Sequence, residues 1–180
     1  MAQTISEEYR KLQQDLHKNP HYGVASLHFA NIVAALMKQV GAKSVADYGA
    51  GKQNLLKGLA QQGVTPTEYF PYDPAFPEYG PPRTADLLCC IDVLEHIEPD
   101  LIDNVIDELA SLTSKYAFFT IATGPAEKVL ADGRNAHLIQ KPTSWWLPKL
   151  AKHFEVMQLM WHHVDGFWVI VKPIEKPAAS

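Results

Sequence analysis

Three acidic residues stand where β-prone runs end, and each is followed by a pattern that can hold or work on a small ligand. The first is Asp47. The run Ser44 to Asp47 passes at once into the turn Gly49-Ala50-Gly51, and an amphipathic stretch begins near Gln53 with Leu55, Leu56 and Leu59 on one face. Strand, glycine turn and helix in that order form a cradle for a nucleotide-like ligand. Gly49 and Gly51 carry no Cβ, so the backbone can approach such a ligand closely. The free N–H groups of the helix N-terminus attract a carboxylate or phosphate, and Asp47 can hold a cationic or hydrogen-bond-donating group. The second acid, Asp73, closes the run Tyr69-Phe70-Pro71-Tyr72, 22 positions after Gly51. A carboxylate there can accept hydrogen bonds from both ribose hydroxyls of a bound nucleoside. The third is Asp92, where the run Asp86 to Ile91 leads into Asp92-Val93-Leu94-Glu95-His96-Ile97.

Two histidines compete for proton chemistry. His96 falls just past the carboxyl end of a strand, where open parallel sheets bind ligands. It can be a general base or a substrate contact, or it can cap or pack the next helix. Glu95 carries the same ambiguity. His137 follows Asp132-Gly133-Arg134-Asn135-Ala136 in the long connection 123–142. Connections of that length tend to be lids or binding loops, although an ordinary solvated histidine fits the same position. Trp145, Trp146 and Phe154 at helical spacing read as packing residues rather than a substrate cage. His162 and His163 are neighbours in a strand and point to opposite faces, so they do not share a metal, and no metal site is read from the sequence.

The elements that must position these residues alternate. Helical patterns cover 3–18 and 24–40, broken by Asn19-Pro20 and ended by Gly41. A strand over 44–47, a helix over 53–62, a strand over 67–72, a proline-rich loop over 74–85 and a strand over 86–91 follow. Then come a helix over 99–113 with Pro99 in its first turn, a strand over 116–122, and a helix over 143–154 compromised by Pro148. Two final strands, 155–162 and 167–173, flank the hairpin signal Asp165-Gly166. Alternation of this kind predicts an α/β fold: a mostly parallel sheet between helices, closed by an antiparallel hairpin.

With its three acid-tipped strands in order, the chain resembles the class I S-adenosylmethionine-dependent methyltransferases over roughly residues 40–172. Asp47-Tyr48-Gly49-Ala50-Gly51 is similar to their first motif, and Tyr72-Asp73-Pro74 to the ribose-binding end of their second strand. Asp92-Val93-Leu94-Glu95-His96 is similar to the stretch after their fourth strand in small-molecule O-methyltransferases of the ubiquinone-biosynthesis type. The resemblance implies a Rossmann-like three-layer sandwich and S-adenosylmethionine as cofactor. Gly49 and Gly51 would meet its methionine end, Asp73 its ribose, and Asp92 with Val93 its adenine side. It also implies methyl transfer to a small-molecule or sugar hydroxyl, with His96 or His137 as catalytic residue. Two departures stand out. Gln53 takes the usual third glycine position. Residues 74–85 are too few for the helix, strand and helix that the family places there, so the third, edge strand is expected to be missing, and Pro71 suits a second strand left at the edge.

The chain of 180 residues is expected to form one domain: helices over 1–42 that cover the cleft, a core over 43–173 and a disordered tail over 174–180. A net charge of −4 supplies no basic field for a nucleic-acid backbone, which favours a small-molecule acceptor. No apolar run is long enough to span a bilayer, and the N-terminus lacks a signal-peptide core. The adjacent Cys89 and Cys90 read as two buried thiols, and the cytoplasm is the expected compartment. A nicotinamide-dependent dehydrogenase would want Gly or Ala where Asn54 stands. An amino-methyltransferase would carry its Asp-Pro-Pro-Phe motif after the fourth strand, whereas Asp73-Pro74-Ala75-Phe76 follows the second. The remaining alternative is a methyltransferase-like subunit that binds the cofactor without turnover.

Overall fold

The computed structural model describes residues 2–162 and 165–174. Two helices lead: α1, Glu7–His17, and α2, Ala25–Val40. The core then runs β1 (Ser44–Tyr48), α3 (Asn54–Gln61), β2 (Glu68–Tyr72), β3 (Ala85–Ile91), α4 (Ile102–Leu112), β4 (Thr113–Ala122), α5 (Thr143–Leu150), β5 (Phe154–Trp161) and β6 (Gly166–Pro173). The sheet has six strands in the order β2-β1-β3-β4-β6-β5. Strands β2, β1, β3 and β4 are parallel, and β6 pairs antiparallel with both β4 and β5. Among the described residues no strand lies outside β2, so Pro71 sits on an edge as the short connection 74–85 requires.

The central strands of the sheet are buried on both faces, whereas edge strand β5 is largely exposed. On one, Val45, Leu87, Cys89 and Phe118 pack with Val33, Leu36, Leu55 and Leu59 of α2 and α3. On the other, Leu88, Cys90, Phe119 and Val169 pack with Val105, Leu109, Trp146 and Leu150 of α4 and α5. Cys89 and Cys90 are free, buried and on opposite faces, as strand alternation dictates. Trp146 and Phe154 are core residues.

Some boundaries differ from the sequence expectation. Residues Pro99–Leu101 form a 3-10 turn before α4 rather than its first turn. Strand β4 starts at Thr113, three residues early, because Ala85 of β3 already pairs with Thr113. Helix α5 ends at Leu150 rather than 154, and Phe154 opens β5. In the hairpin, Gly166 is the first residue of β6 and not a turn residue. Asp165, just before it, is a turn residue, while residues 163–164, His163 among them, and the tail from 175 lie outside the described residues. Among the described residues no helix is long and apolar enough to cross a membrane.

Candidate active site

The carboxyl ends of β1, β2 and β3 open into a cleft roofed by α1 and the start of α2. It lies at the place where open α/β sheets bind ligands. Gly49, Gly51, Asp73, Asp92, Val93 and His96 line it; Asp47 and His137 do not.

The glycine loop is locked to the end of β2. Gly49 N and Ala50 N both donate to the Tyr72 carbonyl, at 2.7 and 2.9 Å. Gly51 N donates to Asp73 Oδ2 at 2.9 Å, and Ala75 N to Asp73 Oδ1 at 2.8 Å. Gly49 has φ +78°, and a Cβ there would stand 2.3 Å from Val93 Cγ2, so two motifs 44 positions apart meet only because this residue is glycine. Gln53 adopts φ 55°, the left-handed conformation for which a glycine is usual, at a cost of about 1–2 kcal/mol. Burial raises the Asp73 carboxyl above its usual range, and the two N–H donors pull it back down. Each carboxylate oxygen retains a further lone pair for a ligand hydroxyl.

Asp47 departs from the sequence expectation. Alternation along β1 places it on the Val45 face, while Tyr48 turns to the other side. Its buried carboxylate accepts a hydrogen bond from the Tyr69 hydroxyl instead of facing the cleft. Burial raises its pKa to about 7, against the lowering effect of that hydrogen bond.

Sequence reasoning missed the contribution of α1. Tyr9, Gln13 and His17, spaced four apart, make one stripe that faces the cleft. The Tyr9 hydroxyl donates to the His96 carbonyl at 2.5 Å and accepts from Gln13 Nε2 at 2.6 Å. The His17 ring lies over the loop, where a Cβ on Gly51 would be 2.9 Å from its Cε1. His17 Nδ1 is buried with no partner, and burial, helped by Lys52, lowers the ring pKa to about 4. The 4.0 Å approach of His17 to Asp73 is therefore not an ion pair at neutral pH.

At the end of β3, Asp92 has φ 59° and donates its N–H to Thr120 Oγ1 at 2.9 Å. Glu95 is fully buried; one oxygen, Oε1, accepts from Ala122 N at 2.7 Å. The segment 123–142 folds over this end. Asn135 accepts from Ala126 N and His137 N and donates to the Ala126 carbonyl, and a bridge joins Val129 to Asn135. His96 Nδ1 lies 2.8 Å from the Ala136 carbonyl and His137 Nδ1 2.8 Å from that of Gly124. A carbonyl only accepts, so both Nδ1 atoms carry protons and both Nε2 atoms are left basic. The two rings meet edge to face at 4.8 Å. Burial lowers His96 to about 4, Asp92 works against that, and His137 adds to it. His96 is thus neutral at pH 7.

A parallel sheet with a β2 edge, a β6–β5 hairpin and a glycine loop under an acid-lined cleft defines a Rossmann-like methyltransferase. The family model described as a methyltransferase domain matches residues 20–160, and the chain belongs to that family. Among solved structures it is similar to mitomycin 7-O-methyltransferase, with 17% identity, TM-score 0.62, and coverage of 91% of this chain and 60% of that one. It is also similar to magnesium protoporphyrin IX methyltransferase from Synechocystis PCC 6803 with bound S-adenosylmethionine, with 14% identity, TM-score 0.63, and coverage of 96% and 100%. A third is the 1,6-didemethyltoxoflavin-N1-methyltransferase of Burkholderia thailandensis, with 14% identity, TM-score 0.60, and coverage of 97% and 93%. The chain thus spans three fifths of the mitomycin enzyme and nearly all of the other two. No curated protein sequence matches it.

Proposed function

We propose that this protein is an S-adenosylmethionine-dependent methyltransferase acting on a hydroxyl of a small molecule held in the cleft. The observation that carries the reading is the convergence of the glycine loop, Asp73 and His96 on one cavity. The residues present fit the cofactor. Gly49 lets the loop close on Val93 at the rim of the cleft, and Asp73 is a buried carboxylate with acceptor capacity to spare. When bound, S-adenosylmethionine supplies a methyl group on a cationic sulfonium that is already activated for in-line displacement.

This chain then supplies position, dryness and a proton acceptor. Gly49 and Gly51 hold the methionine end through backbone, Asp73 takes the ribose hydroxyls, and Asp92 with Val93 bounds the adenine side. Tyr9, His17 and Tyr22 roof the cleft and exclude water. His96, held by the Ala136 carbonyl and neutral at pH 7, takes the acceptor's proton at Nε2. His137 packs on the His96 ring and orients it. A net charge of −4 agrees with a small molecule as acceptor rather than a nucleic acid. The test is incubation with S-adenosylmethionine and a panel of phenols, catechols and sugars. Acceptor-dependent formation of S-adenosylhomocysteine with an O-methylated product is expected. An N-methylated product, or cofactor binding without turnover on any acceptor, would overturn the assignment.

A further inference from the structure

The two edges of the sheet are finished differently. On β2, Pro71 offers no N–H, and the Arg83 guanidinium lies 4.0 Å from the centre of the Phe70 ring. On β5, the other edge, the only guards are Glu155 and a register shift between Val156 and Gln158 that bends the first half of the strand. Beyond that bend, Gln158 to Trp161 carries no charge and no proline and pairs regularly with β6. Among the described residues six large apolar side chains are exposed, and four of them, Val156, Met157, Met160 and Trp161, belong to this one strand. His162 N donates to the Gly166 carbonyl of β6. Alternation then turns the N–H and C=O groups of Leu159 and Trp161 outward, where no described strand pairs with them. Such an edge, apolar on both faces, is a template for another strand.

We propose that β5 pairs antiparallel with the β5 of a second copy of this chain, about a twofold axis at Met160, so that two six-stranded sheets join into one. The strand is self-complementary in that register. Leu159 of each copy faces Trp161 of the other, and each such pair exchanges its outward N–H and C=O groups in two hydrogen bonds. Leu159 packs on the side of the sheet covered by α4 and α5, and Trp161 shares that face by alternation. The two Leu159 and two Trp161 side chains therefore gather on one face, while the two Met160 side chains meet on the other. Glu155 is the strand's only charged residue and falls outside the paired stretch, so no like charges oppose each other. Apolar groups matched about a single point are what a twofold contact between identical surfaces requires, whereas a foreign strand requires no such symmetry. The clefts lie at the ends of β1, β2 and β3, well away from β5 in the sheet, and remain open in the dimer. The dimer is independent of the methyltransferase reading. So few side chains place it at the small end of specific interfaces, with micromolar rather than nanomolar affinity.

Sedimentation equilibrium of the full chain, from low to high micromolar concentration, tests the pairing. A reversible monomer–dimer equilibrium is expected. Met160→Lys sets two ammonium groups against each other on the axis and should weaken the dimer at least tenfold. Met160 is 50% exposed, so the circular dichroism of that variant should match the wild type. Met160→Cys fixes the register. Antiparallel partners that do not hydrogen-bond to each other stand about 4.5 Å apart at Cα, a distance a disulfide can span. Mild oxidation of Met160→Cys should therefore link the two copies, and the native Cys89 and Cys90 are buried and do not compete. Gln158→Cys, which falls opposite His162 rather than itself, should not link. A chain that stays monomeric throughout, a dimer indifferent to Met160→Lys, or a Met160→Cys variant that forms no link would overturn the proposal. A monomer that binds phosphatidylcholine vesicles, and loses that binding in Met160→Lys, would assign the strip to a lipid surface instead.

Discussion

The ends of β1 and β2 and the end of β3 face one cleft but are finished in opposite ways. At the first, each polar group has its partner: the Tyr72 carbonyl takes two N–H groups, and each Asp73 oxygen takes one. At the second, Asp92 sits at positive φ, burial raises the Glu95 carboxyl well above its usual range, and two imidazoles stand edge to face. The satisfied end is a preorganised cradle, rigid before any ligand arrives. The second end stores backbone strain at Asp92 and buried titratable groups shifted from their usual ranges, as sites that hold reacting groups do. On the proposed function, recognition and chemistry are thus separated along the sheet.

Substitutions can break this division, and the largest effect is expected at the chemical end. His96→Gln should lower turnover about 10²–10⁴-fold, the usual range for a lost general base, with cofactor affinity unchanged. Its pH profile sharpens the point. A base stays active while neutral, so a pKa lowered from 6.5 to about 4 should carry the acid limb of kcat/KM down toward pH 4. A limb at 6.5 would assign the base elsewhere. Next comes Gly49→Ala, whose Cβ would overlap Val93. It should weaken S-adenosylhomocysteine binding by more than about 100-fold, and adding Val93→Ala should restore part of that loss, since it removes both Cγ clashes and leaves a tight 3.2 Å contact with the Cβ and the φ strain of about 1–2 kcal/mol.

Asp73→Ala should weaken the same binding by roughly 1–3 kcal/mol, because it strands the Gly51 and Ala75 donors together with the ligand hydroxyls. Calorimetry showing unchanged affinity would remove Asp73 from the site. The smallest effect is expected at Asp47. Both acids end strands in the same layer, but only Asp73 lines the cleft. Asp47→Asn should therefore change affinity less than about threefold, a difference under roughly 0.7 kcal/mol. Its signature lies in stability. The folded pKa of about 7 exceeds the ordinary 3.8, so the native state keeps a proton that the unfolded chain loses as pH rises between those values. Wild-type stability should thus fall relative to Asp47→Asn from pH 4 to pH 7, and parallel curves in denaturant melts would contradict this.

What the sequence made legible was local. Glycine loop, acid-tipped strands and the absent edge strand each follow from a few contiguous residues and their spacing. Asp47 was misplaced although strand alternation was available: Tyr48 and Asp47 cannot both face the cleft, and the family motif drew attention to the acid. The α1 stripe was legible in principle, since Tyr9, Gln13 and His17 repeat every four residues, but nothing local says which surface such a stripe covers. The contact of the His137 ring with that of His96 was not legible at all. His137 reaches it through the Asn135 hydrogen bonds and the His96–Ala136 contact, links that exist only once the 123–142 segment has folded back.

The most direct test of the central claim is calorimetric titration of the purified protein with S-adenosylmethionine, S-adenosylhomocysteine and NAD. Micromolar binding of both adenosyl ligands with none of NAD is the predicted result. Binding of NAD, or of none of the three, would contradict the assignment of the glycine loop and Asp73 as the cofactor cradle.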